Sequence, residues 1–144
     1  MTQQRIMALD VGDKRIGLAV SDETNTISTG VCAIERKNTA FDIKQIMDYA
    51  KEYNAGKIIV GLPLTLKGKE SMQTQKVNNF VTELKQSTAI SVETFDERLS
   101  TAQCERVLIA ADVSRKKRKG VLDKMAAQLI LQTYLDMESG RQGA

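Results

Sequence analysis

The stretch "RIMALDVGDKRIGLAVSD", residues 5–22, decides how the rest of the chain is read. Its first seven residues are apolar apart from Arg5 and Asp10, and Gly12 bounds them. A short apolar run closed by a turn residue predicts a buried strand. "IGLAVSD", 16–22, resumes the pattern after the brief "GDKR" link, so the two segments predict a β-hairpin. Asp10 is the anomaly. A carboxylate among residues that should be buried needs a partner, because burying a bare charge is costly. It reads either as a turn acid that bonds the hairpin amides or as a ligand for a cation.

Outward from the hairpin, "TISTGVCAIE", 26–35, is rich in β-formers and predicts a third strand. Ile43, Ile46, Met47 and Ala50 recur at helical spacing and predict an amphipathic helix over 39–54, ended by Asn54 and Gly56. "KIIVGLPL", 57–64, has the continuous apolar character of a central parallel strand. Val77, Phe80, Val81 and Leu84 mark a second helix, and "ISVETF", 90–95, a fifth strand. Ser100 or Thr101 can cap a third helix carrying Cys104, Val107, Leu108 and Ala111. A last helix is expected from near Val121 to about Met137. The order βββαβαβαα predicts an α/β fold: a mixed five-stranded sheet flanked by helices. With Pro63 the only proline and no linker in sight, 1–138 reads as a single domain and 139–144 as a polar C-terminal tail.

In such sheets, binding sites gather at the carboxyl ends of the parallel strands. Asp10, Gly61 and the pair Asp96–Glu97 all fall there. Alternation sends Asp96 and Glu97 to opposite sides of the strand end. One acid is expected to serve a site, the other to brace Arg98 or cap a helix. Glu97 is favoured as the ligand for its longer reach. Asp123 lies in the first turn of the last helix, with Ala127 and Ile130 on its own stripe, so it is expected to face the sheet. The plainer reading of Asp123 is an acid that complements the helix dipole.

The chain has no histidine among its 144 residues. That excludes Ser-His-Asp and Cys-His catalysis and His-based zinc sites. Three acids from separate segments instead suit Mg²⁺ or Mn²⁺, which can activate a water and stabilise a leaving oxygen in phosphodiester cleavage. Net charge is only +3, but Arg115, Lys116, Lys117, Arg118 and Lys119 form an unbroken run. With Lys14, Arg15 and Arg98 beside the acids, they are candidates to contact a nucleic-acid backbone; the alternative is a solvated, solubilising segment. Three Phe, three Tyr and no Trp leave little for base stacking, so backbone and shape recognition is expected. Two distant cysteines, no apolar run near ~20 residues and no visible secretory signal lead to the expectation of a reduced cytoplasm and no membrane.

"ALDVGDKRIGLAVSD", "IIVGLPL", "FDERLST" and "DKMAAQLILQTYL", in that order, resemble the YqgF family, also called RuvX. The resemblance spans roughly Arg5 to Met137. It implies an RNase H-like fold related to the Holliday junction resolvase RuvC, and a cytoplasmic bacterial protein. Members are described as Holliday junction resolvases or as nucleases that process the 5′ end of pre-16S rRNA. Carried over by motif, the family's acidic site falls on Asp10, the acid of the "DER" motif and Asp123. One departure from the related resolvase is that no acid ends the fourth strand, which reads "GLPLTLKG". Three functions follow as expectations: a metal-dependent nuclease on structured RNA, the same chemistry on branched DNA by a homodimer, or a non-catalytic factor that binds nucleic acid or ribosomal particles.

Overall fold

A computed structural model describes residues 4–64, 67–99 and 115–143, with side chains described for 4–64, 67–98 and 124–140. Strands β1 (Arg5–Val11), β2 (Arg15–Ser21) and β3 (Ser28–Glu35) precede helix α1 (Thr39–Glu52). Strand β4 (Ala55–Leu62), helix α2 (Met72–Ser87) and strand β5 (Ser91–Asp96) follow, then one 3-10 turn (Glu97–Leu99) and helix α3 (Arg115–Gly143). The helix expected after Ser100 lies outside the described residues.

The sheet order is β3-β2-β1-β4-β5. The β1–β2 and β2–β3 pairs are antiparallel, whereas β1–β4 and β4–β5 are parallel. This is the mixed five-stranded sheet that the element order predicts. The parallel pairing brings the carboxyl ends of β1, β4 and β5 to one edge, with Leu62 opposite Asp96.

Each face of the sheet has its own core. Met7, Leu9, Val11, Ile58 and Val60 pack with Ile43 and Ile46 of α1 and with Val77, Phe80 and Leu84 of α2. Ala8, Ala19, Ile59 and Phe95 pack with Ala126, Ala127, Ile130, Leu131 and Tyr134 of α3. Strand alternation explains the division and places Asp10 on the face of Ala8, toward α3. The helix ends are made locally. Asn38 accepts a bond from the Phe41 amide at 2.8 Å to start α1. Asn54 takes φ 56° just beyond it, in the left-handed region Asn tolerates. Ser71 and Thr74 form a capping box at the start of α2.

Helix α3 departs from the sequence expectation at both ends. It begins at Arg115 rather than near Val121, and reaches Gly143 rather than Met137. Lys and Arg are good helix formers, so the basic run is carried inside the first turns instead of forming a loop before them. The side chains of Arg115, Lys116, Lys117, Arg118, Lys119 and Asp123 lie outside the described residues. The helix direction is nonetheless set. Ile130 lies over Gly61 at the carboxyl end of β4, while the Tyr134 hydroxyl meets Lys57 Nζ at 3.0 Å near the amino end. The first turns of α3 therefore point to the edge where β1, β4 and β5 end.

Candidate active site

Asp10 is the penultimate residue of β1, opposite Gly17 of β2. The β1–β2 turn closes with the Gly12 amide donating to the Arg15 carbonyl at 2.8 Å. Beyond β5, Glu97 opens the 3-10 turn and is 3% exposed. Asp10 and Glu97 line a single open cavity of about 310 Å³, together with Gly12, Asp13, Pro63 and Gln73. Two acids far apart in sequence are thus brought to one space because β1 and β5 both run parallel to β4, which lies between them.

Gly61 makes room for this. A Cβ built there would lie 2.7 Å from Ile130 Cδ1, 3.0 Å from Glu97 Oε1 and 3.1 Å from Glu97 Cγ. The Glu97 side chain therefore lies across the end of β4, in space that only the missing Gly61 side chain leaves open.

Asp96 has a different job. Its carboxylate accepts from Arg98 Nε at 3.1 and 3.0 Å, from Nη2 at 2.6 Å and from the Arg98 amide at 2.9 Å. These charge-assisted bonds, the Arg98 side chain foremost, hold the Asp96 carboxyl below the usual carboxylate range, and the same pairing raises the Arg98 guanidinium. Of the neighbouring acids, one braces the turn and the other, Glu97, enters the cavity. Arg98, a candidate phosphate contact, is held by Asp96 at the rim and packs beside Gly68, whose φ is +79°.

Lys14 is exposed at the tip of the turn. Arg15 points toward Glu35, with Nη2 and Oε1 3.9 Å apart, a separation that leaves little pairing energy. Asp13 faces Lys76 at 3.4 Å with both side chains largely in solvent. Sequence reasoning passed over Gln73, which donates to the Val11 carbonyl at 3.4 Å and ties α2 to the end of β1. The Ser71–Thr74 capping box starts α2 so that Gln73 falls in its first turn, a placement that no motif in the sequence marks.

Among the described residues, no three His, Cys, Asp or Glu side chains cluster to hold a metal. Asp10 and Glu97 supply carboxylate oxygens only, which is the donor set of a hard cation. Mg²⁺ typically takes one or two carboxylates and completes its shell with water and substrate phosphate. The two acids and the open cavity fit that requirement.

The family model "RuvX: Holliday junction resolvase" matches residues 4–137. A Thermoanaerobacter pseudethanolicus protein is 49% identical over 138 residues, covering 95% of this chain and 99% of its own. A Clostridioides difficile protein is 48% identical over 138 residues, with 96% and 98% covered. Both carry the name "Putative pre-16S rRNA nuclease". Among solved structures, T. thermophilus RuvC in complex with a Holliday junction substrate superposes with a TM-score of 0.58 at 10% identity, covering 95% of this chain and 98% of that one. At that identity the likeness shows the fold alone, the RNase H-like fold of RuvC.

Proposed function

The chain belongs to the RuvX family, and on that footing we propose that it is a divalent-metal-dependent nuclease that processes the 5′ end of pre-16S rRNA in the cytoplasm. One observation carries this reading: Asp10 and Glu97 line the same cavity at the carboxyl edge of the sheet. With no histidine in the chain, a carboxylate-held cation supplies what a histidine base would otherwise contribute at neutral pH. A bound Mg²⁺ or Mn²⁺ supplies positive charge for the developing phosphate charge and acidifies a nearby water. Asp10 and Glu97 hold the cation, and Asp123, from the first turns of α3, is the third acid. Lys14 at the turn tip and the cations Arg115–Lys119 contact backbone phosphates flanking the cut. Their contribution is sequence-independent, so substrate choice rests on RNA shape or on the ribosomal particle that carries it.

The test is cleavage of a precursor 16S transcript in Mg²⁺ or Mn²⁺ by wild-type protein and by the Asp10→Asn, Glu97→Gln and Asp123→Asn variants. Wild type is expected to cut and each variant to lose the activity. Equal rates in wild type and variants remove these acids from the reaction. Steeply salt-dependent binding with no product points to a binding factor instead.

The family description favours one further substrate, a four-way DNA junction. Its resolution takes two symmetric cuts and hence a dimer. A protein that stays monomeric on junction DNA is incompatible with that reading.

A further inference from the structure

The turn that follows Asp10 is held from a second direction. Arg36, just past β3, donates Nη1 to the Gly12 carbonyl at 3.0 Å. Its own backbone amide donates to the Lys14 carbonyl at 2.9 Å. One residue therefore grips both sides of the β1–β2 turn. Its Nε donates to Asp42 Oδ2 at 3.0 Å, and Asp42 is 0% exposed. Asp42 Oδ1 accepts from the Lys37 amide at 3.0 Å. The guanidinium also lies 5.2 Å from the centre of the Phe80 ring on α2. Hairpin, α1 and α2 thus meet at one side chain.

A buried ion pair is a poor way to gain stability, because desolvation offsets the attraction. What it does well is fix geometry. The planar guanidinium can serve Asp42 and the Gly12 carbonyl at once, in a fixed relation that a lysine ammonium does not enforce. Gly12 lines the carboxylate cavity and stands two residues after Asp10. We infer that Arg36, oriented by Asp42, is a positioning residue for cleavage: through the Gly12 carbonyl it holds the β1–β2 turn, and so the Asp10 carboxylate, in reactive geometry.

This rests on the nuclease reading, so the test carries a readout independent of turnover. Arg36→Met alone strands a buried Asp42 charge; the double variant Arg36→Met/Asp42→Asn removes both charges and keeps an acceptor for the Lys37 amide. Its kcat on the precursor transcript is expected to fall about 10- to 100-fold, the scale of a displacement near 1 Å, with KM within about twofold. Arg36→Lys, which keeps the pairing charge, is expected to lower kcat as well. In the double variant, amide hydrogen exchange at Gly12 and at position 36, relative to each residue's intrinsic rate, should accelerate about tenfold while β4 amides keep their rates. A double variant with wild-type kcat and wild-type exchange at both amides overturns the inference. If wild-type protein cuts no transcript, the nuclease reading fails first, and unchanged exchange at Gly12 and position 36 of the double variant then overturns the positioning role as well.

Discussion

Gly61→Ala adds a single methyl at the end of β4 and tests the packing of the site. The new carbon would lie 2.7 Å from Ile130 Cδ1. Ordinary carbon–carbon contact is about 3.5–4.0 Å, so the approach is short by roughly 1 Å. It would also lie 3.0 Å from Glu97 Oε1 and 3.1 Å from Glu97 Cγ. Ile130 is 0% exposed and cannot swing into solvent without opening the core, so the Glu97 carboxylate must shift within the cavity. Overpacking of this kind costs about 1–3 kcal/mol, which urea unfolding resolves. Moving the Glu97 carboxylate by about 1 Å costs about 100-fold in cleavage of the precursor transcript. A second change separates the two effects. Ile130→Val deletes the carbon in the closest contact and by itself costs about 0.5–1.5 kcal/mol. Placed on Gly61→Ala, it should restore part of the stability and leave cleavage low, because the Glu97 clash persists. Wild-type stability and cleavage in Gly61→Ala would refute the placement of Glu97 across the end of β4. Cleavage that recovers along with stability in the double variant would show that Glu97 was never the displaced group.

The neighbouring acids should behave differently. Asp96→Asn removes the carboxylate that pairs with the solvent-facing Arg98, should cost no more than about 1 kcal/mol near neutral pH, and should leave cleavage largely intact; loss of activity equal to that of Glu97→Gln would contradict the division of labour. Because Arg98 lowers the Asp96 pKa in the folded state, this contribution is present above the unfolded carboxyl pKa and fades as pH falls through the folded one. Asp22 offers a control remote from the site. The Ile27 amide, the Thr24 hydroxyl and the Thr26 amide lower its pKa from 3.8 to about 2, so the stability gap between wild type and Asp22→Asn should close as pH drops across that window. A gap that does not vary between pH 4 and pH 2 in urea unfolding excludes the linkage. Replacing three of the cations Arg115–Lys119 with Gln should flatten the plot of log affinity for RNA against log salt by about 0.7–0.9 per lost phosphate contact. An unchanged slope makes that segment a mere solubiliser.

Strand and helix identity was legible residue by residue because side-chain periodicity is local. "RIMALDV" and "IGLAVS" read as a hairpin, and Ile43, Ile46 and Ala50 as a buried stripe, because each pattern needs only its neighbours in the chain. The element order then restricted the sheet to a mixed one. The edge where Asp10 and Glu97 meet followed from the rule that sites collect at the carboxyl ends of parallel strands. The start of α3 was misjudged because its first turns lack the apolar stripe on which the reading depended.

Other matters depended on contacts between residues remote in sequence. Alternation alone could not choose between Asp96 and Glu97; β5 ends at Asp96, Arg98 folds back to claim it, and Glu97 turns into the space above Gly61. Gln73 and Arg36 carry no motif of their own, and their roles exist only because α2 and the β3–α1 connection come to lie against the β1–β2 turn. Sequence by itself determined the five strands, the first two helices, the mixed sheet and the short set of acids worth considering, since these depend on local pattern and residue chemistry. Which acid enters the cavity, and what holds the cavity in shape, was decided by tertiary structure, because a side chain's environment is made by chain segments that no local pattern connects.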